Sequence, residues 1–112
     1  DGTIVSMGWN DFGGWQISIM DANGTYWYYA HMERYALDLE IDQYITAGTL
    51  IGYVGSSGYG PVGTTGKFID HLHLQIGIKL DPAQEEYTWI NPYPIIVYTD
   101  PMRQELNQNE ER

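Results

Sequence analysis

Alternation of apolar and polar residues, the pattern of half-buried β-strands, recurs along much of the chain. The clearest run is WQISIMD (residues 15–21), in which the apolar side chains share one face with a period of two. The pair Asn23-Gly24 follows, and Asn-Gly is a strong hairpin signal because both residues tolerate positive φ. The aromatic segment TYWYYAH (25–31) then returns. The pattern predicts a β-hairpin over residues 15–31.

Shorter signals lie on both sides of this hairpin. GTIVSMGW (2–9) contains β-branched residues, and HLHLQIGI (71–78) alternates, so both are predicted strands. Two apolar runs within residues 43–55 predict a hairpin or tight bend, and IIVYT (95–99) predicts a last strand. MERYALDLEID (32–42) is the best helical candidate. It is short and lacks a good cap, so a turn or a brief helix is expected there.

Together these elements predict an all-β domain, an antiparallel sheet built from hairpins with at most one short helix. The chain has 112 residues, the size of one domain. We assign residues 1–99 to the β-domain and the polar, acidic residues 100–112 to a tail. The segment SSGYGPVGTTG (56–66) must be a loop, and so long a loop in a small domain is either functional or disordered.

Charge and composition exclude several classes of partner and chemistry. Five Lys and Arg against 15 Asp and Glu give a formal net charge of −10. Phosphates of nucleic acids and anionic membrane surfaces would repel such a chain. The absence of Cys excludes disulfides, thiol catalysis and thiolate metal sites. Because no apolar run approaches the ~20 residues that span a bilayer, no transmembrane segment is expected.

Three histidines carry the candidate chemistry. Side chains alternate along a strand, so His71 and His73 are expected on one face, and His31 ends the aromatic strand. If the two strands are neighbours, all three imidazoles converge on one groove. Such a group can bind a divalent metal, or divide the work between metal ligand and general base. The alternative is that they are ordinary surface histidines, and the residues alone do not complete a metal site.

Three blocks occur in order along the chain: YYAH (28–31), ITAGTLIGYVGSSGYG (45–60) and HLHLQI (71–76). In this order they resemble the lysostaphin/LytM-type zinc metalloendopeptidases, which cut peptide bonds in bacterial peptidoglycan. The opening DGTIV is similar to the strand that follows the first metal-binding segment of that family. The resemblance covers residues 1 to about 78, and it implies the β-sheet groove and barrel-sandwich-like core of lysostaphin-type domains.

The resemblance also implies a role for each histidine. His73 matches a zinc ligand, and His31 and His71 match the two catalytic histidines. The implied reaction is attack of a zinc-activated water on a peptide bond, with one imidazole taking a proton and the other stabilising negative charge. The implied substrate is a peptidoglycan peptide. The implied location is extracellular or in the cell envelope of a bacterium.

Departures from the family pattern leave alternatives open. The family's other two zinc ligands, a His and an Asp, are expected in a segment upstream of Asp1, which makes the chain the C-terminal part of a catalytic domain. A degenerate domain that has lost catalysis, and binds or regulates cell-wall hydrolases, is the alternative. A cupin-like metal barrel fits poorly, because no His follows His73.

The loop at residues 60–70 and several aromatic residues are further candidates for contact with substrate. Residues 60–70 form a longer connection than the family's usual one and are expected at the rim of the groove, where they would shape substrate access. Tyr59, in the Gly-rich loop, is the candidate for contact with substrate. The four tryptophans are expected to pack within the core and between strands rather than to form a sugar-stacking surface.

Overall fold

The structure is a computed structural model that describes residues 1–81, 83 and 85–92. Within these residues, seven strands form one antiparallel sheet in the order β4-β1-β2-β3-β6-β7, with β5 paired to β3. The strands are β1 Gly2–Asn10, β2 Gly14–Asp21, β3 Tyr26–Tyr35, β4 Tyr44–Ile45, β5 Gly52–Val54, β6 His73–Ile78 and β7 Thr88–Ile90. The predicted all-β, antiparallel fold class is confirmed.

The hairpin predicted over residues 15–31 is confirmed as β2 and β3, which pair antiparallel. The Asp21 carboxylate holds the turn by accepting hydrogen bonds from the backbone N–H groups of Asn23 and Thr25, at 2.9 and 3.0 Å. Gly24 has a φ of 78°, in the left-handed region that glycine adopts at little cost. Strong local signals of alternation and turn chemistry therefore fixed this part of the fold.

The prediction of a brief helix within residues 32–42 is wrong. The alternative prediction, a turn, is correct for the second half of that segment. Residues 32–35 continue β3, and turns follow without any helical residue. The strand persists because Met32 pairs with Trp15 of β2 on one side and with Val54 of β5 on the other. Both partners are distant in sequence, so their hydrogen bonds override a weak local preference.

The apolar runs within residues 43–55 form β4 and β5, which pair with different strands. β4 joins β1 and β5 joins β3, so the segment is a bend rather than a hairpin. Residues 56–66 contain no strand or helix, which agrees with the predicted loop. The strand predicted at 95–99 and the tail at 100–112 lie outside the described residues.

A small apolar core fixes the central strands that carry the site. It is formed by buried Ile and Met side chains with partly buried aromatic rings against them: Ile4, Ile17, Ile19, Met32 and Ile45, with Trp15 and Trp27 among the packed rings. Full burial of one such aliphatic side chain contributes about 1.5–3 kcal/mol. Packing was predicted for the tryptophans and is confirmed for these two, whereas Trp89 is half exposed.

Across the described part of the chain, no helix has the length and apolarity required to cross a membrane.

Candidate active site

The sheet brings the three histidines together beside the start of β6. The prediction that His31 ends the aromatic strand is wrong, because β3 continues past it to Tyr35. β3 and β6 are neighbours, and His73, the first residue of β6, pairs with Ala30. The ring centroid of His31 lies 5.3 Å from that of His73 and 5.0 Å from that of His71. One potential ligand atom from each of the three lies within 4.8 Å of the others. The predicted convergence is present, while the individual roles stay predictions.

A β-bulge places His31. Between the pairs Trp15–Met32 and Ile17–Tyr29, β3 contains one residue more than β2. His31 takes up this irregularity with a φ of 59°, in the left-handed region, and its backbone N–H donates to the Gly13 carbonyl at 2.7 Å. A bulge re-aims a side chain relative to the regular strand. Here it accompanies an almost completely buried histidine.

The backbone of Ser57 orients the His31 imidazole. Nδ1 of His31 lies 2.7 Å from the Ser57 carbonyl oxygen, which can only accept. In the neutral imidazole Nδ1 therefore carries the proton, and Nε2 keeps a free lone pair. Ser57 is itself fully buried, and its Oγ accepts from the backbone N–H of Trp15 and donates to the Met32 carbonyl.

The sequence did not point to Ser57. Its contact with His31 uses a backbone carbonyl, which every residue possesses, so the side chain leaves no recognisable signal. The position of the serine in a Gly-rich loop also made it look like an ordinary loop residue.

Burial lowers the pKa of the His31 imidazole below its usual value, because desolvation disfavours the cation. The hydrogen bond with the Ser57 carbonyl acts in the opposite direction. The nearby His73 and His71 lower the pKa further. His31 is therefore neutral at neutral pH, and its free nitrogen can accept a proton or a metal ion.

His71 is held in a similar way from a different segment. It lies two residues before β6 and forms an isolated bridge with Gly55. Its Nδ1 lies 2.9 Å from the Ile69 carbonyl oxygen, so the neutral ring keeps Nε2 free. The predicted strand 71–78 begins two residues too early, since β6 starts at His73 and His71 lies outside it. Both histidines nevertheless reach the same site. Unlike His31, His71 is exposed.

An open groove with an aromatic wall surrounds the three imidazoles. Its volume is about 1170 Å³. Tyr59 stacks on His31 at 5.9 Å between ring centroids, and Phe68 meets His31 edge-on at 4.6 Å. Tyr59, the predicted substrate contact, therefore lines the groove beside the histidines. Residues from the 60–70 loop line it as well, as predicted: Gly60, Pro61, Val62, Lys67 and Phe68.

The donor chemistry of the site fits zinc. Neutral imidazole nitrogen is a usual zinc ligand, and metal-bound imidazoles commonly donate their other N–H to a backbone carbonyl. His73 offers a ring nitrogen beside those of His31 and His71, and it is half-buried with its ring edge-on to Tyr28. Among the described residues, His31, His71 and His73 are the group of candidate ligands that lie close enough together to hold an ion.

Comparison with known proteins gives a consistent result. The model for peptidase family M23 matches residues 1–85. An L-Ala–D-Glu endopeptidase of Bacillus subtilis is 47% identical over 93 residues, which cover 83% of this chain and 28% of that protein. Lysostaphin of Staphylococcus simulans is 34% identical over 76 residues, covering 66% of this chain and 14% of that protein.

A solved structure from Ruminococcus gnavus, described as a glycyl-glycine endopeptidase LytM, has a TM-score of 0.79 at 46% identity. The match covers 87% of this chain and 37% of that one. This chain thus spans well under half the length of each of these proteins. The matches confirm the resemblance that the three sequence blocks indicated.

Proposed function

Since this chain belongs to peptidase family M23, we propose that it serves in zinc-dependent hydrolysis of peptide bonds in bacterial peptidoglycan. The observation that carries the proposal is the meeting of His31, His71 and His73 within 4.8 Å in an open groove. The names of the relatives support the reaction class, since they describe endopeptidases. The corresponding location is extracellular or in the cell envelope of a bacterium.

In this proposal His73 binds zinc, and His31 and His71 are the catalytic histidines. Zinc, when bound, would polarise a carbonyl oxygen and lower the pKa of a bound water to about 7. His31 is neutral and presents the Nε2 lone pair, so it accepts the proton of the attacking water. The carbonyl of Ser57 keeps the ring oriented during that transfer.

His71 has the complementary task of stabilising negative charge. The Ile69 carbonyl accepts from Nδ1–H in both protonation states of the ring. When His71 is protonated, Nε2 also carries a hydrogen and can donate to the oxygen on which charge develops.

The native zinc-loaded protein is expected to release peptides with new amino termini from purified peptidoglycan, measured by mass spectrometry of the soluble fragments. Treatment with ortho-phenanthroline should lower the rate by about 100-fold or more, because metal polarisation is worth several kcal/mol. Added zinc should restore the rate. The non-chelating meta isomer is the matched control. A zinc-loaded protein that binds peptidoglycan but releases nothing would contradict the proposal and favour the binding-module alternative.

A further inference from the structure

We propose that Lys67 binds a substrate carboxylate in the groove and directs hydrolysis to peptides with a free carboxylate beside the scissile bond. This inference rests on the proposed function and adds a substrate class to it. It follows from where the cations of the chain lie, from the character of the groove, and from the net charge.

The position of Lys67 differs from that of the other cationic side chains in the described residues. The Arg34 guanidinium lies over the Tyr53 ring at 4.3 Å, and the Lys79 ammonium lies over the Tyr87 ring at 5.0 Å. Lys67 instead lines the same groove as the three histidines. Within the described part of the chain, the groove therefore contains one Lys or Arg side chain, and it is exposed.

Few other groups in the groove would compete with a substrate carboxylate for the Lys67 ammonium. The lining is mainly aromatic and aliphatic, with Phe12, Tyr59 and Phe68 on its walls. Asp11 is the acidic residue of the lining, and its Oδ1 accepts a hydrogen bond from the Trp9 indole at 3.3 Å. A carboxylate of a bound peptide near Lys67 can therefore form a charge-assisted hydrogen bond with its ammonium.

The overall charge of the chain gives an acidic substrate no long-range attraction. A chain with a net charge of −10 repels anionic peptides at long range. At physiological ionic strength that repulsion is screened beyond about 8 Å, so the groups inside the groove decide binding. Within the groove, Lys67 supplies the attraction for a substrate carboxylate.

Two relatives of nearly equal identity have names that specify different bonds, L-Ala–D-Glu and glycyl-glycine. A D-Glu residue has two carboxyl groups, and the one outside the peptide linkage is free. A glycyl-glycine segment within a chain has no side-chain carboxylate. Identity alone therefore does not choose between the bonds, and the ammonium of Lys67 favours the acidic one.

The test compares the native zinc-loaded protein on three peptides: one that contains L-Ala–D-Glu with its free carboxylate, the same peptide with that group amidated, and pentaglycine. Amidation is expected to lower kcat/KM about tenfold, mainly through KM, as expected for loss of a hydrogen bond between charged groups. Lys67→Gln should lower kcat/KM for the free acid by a similar factor and affect the amide much less, so that the preference for the acid is lost. Lys67→Arg should keep the preference, and the matched control Lys79→Gln should not alter it.

A preference for pentaglycine, or an equal loss on acid and amide in Lys67→Gln, would overturn the assignment. A second measurement does not require turnover. The chain's two lysines, Lys67 and Lys79, can be followed by NMR with labelled lysine while each peptide is titrated into a His31→Asn variant. Tighter binding of the acid, with shifts at Lys67 alone, supports the carboxylate site; equal affinities refute it. This result holds whether or not hydrolysis occurs, so failure of the proposed function and failure of the Lys67 assignment are distinguishable.

Discussion

Replacing His31 with Asn is expected to lower peptidoglycan hydrolysis by about 100- to 10,000-fold, the range that a positioned general base contributes. Asn is the informative substitution because it tolerates the left-handed φ of 59° at this position. Its side-chain amide can also donate to the Ser57 carbonyl, as Nδ1–H of His31 does. The variant should therefore fold and bind zinc normally, and lack only the nitrogen that accepts the proton.

His71→Ala should give a loss of the same order, because it removes the donor proposed to stabilise the oxyanion. The measurement is kcat/KM on a peptidoglycan peptide at matched zinc content, with denaturant unfolding as the check on folding. Hydrolysis within tenfold of the wild-type rate in His31→Asn would contradict the role of His31. A loss of zinc in either variant would show that the residue is a ligand instead.

Gly14→Ala is expected to destabilise the folded protein by about 2–5 kcal/mol. Gly14 has a φ of 66°, where a residue with a Cβ costs about 1–2 kcal/mol. A Cβ at this position would also collide with the backbone carbonyl and the side chain of Ser57. Because Ser57 is fully buried and hydrogen-bonded to two strands, it has little room to move, and overpacking of this kind costs about 1–3 kcal/mol.

Gly24→Ala is the matched control for that experiment. Gly24 has a φ of 78°, but a Cβ there would meet no atom within 4 Å. Its expected cost is the backbone contribution alone, about 1–2 kcal/mol. Unfolding by denaturant at fixed zinc concentration measures both values. Equal destabilisation by the two substitutions would show that contact between Gly14 and Ser57 does not constrain the site.

Local sequence signals predicted the parts of the fold whose partners are close in the chain. The β2–β3 hairpin follows from alternation and from the turn at Asn23-Gly24. The strand period predicted that His71 and His73 reach one site, and they do, although His71 lies outside β6. The end of β3 was harder to predict, because residues 32–35 gain strand structure from pairing with β5, about 20 residues later.

The parts of the site that the sequence did not predict depend on backbone contacts and on loop positions. The bulge at His31 arises because β3 has one residue more than β2 between two paired positions, and no residue type in the sequence indicates it. The orientation of His31 depends on a carbonyl group of Ser57. Lys67 lies in an irregular loop, where no periodicity indicates which way a side chain points, and only the folded chain places it in the groove.

The zinc content of the native protein and of its His73→Ala variant tests the central claim most directly. The account predicts about one zinc ion per molecule in the wild-type protein and in His31→Asn, and a zinc content near zero in His73→Ala after equilibration with a weak competing chelator. Elemental mass spectrometry gives these values. A His73→Ala protein that keeps a full equivalent of zinc would contradict the account.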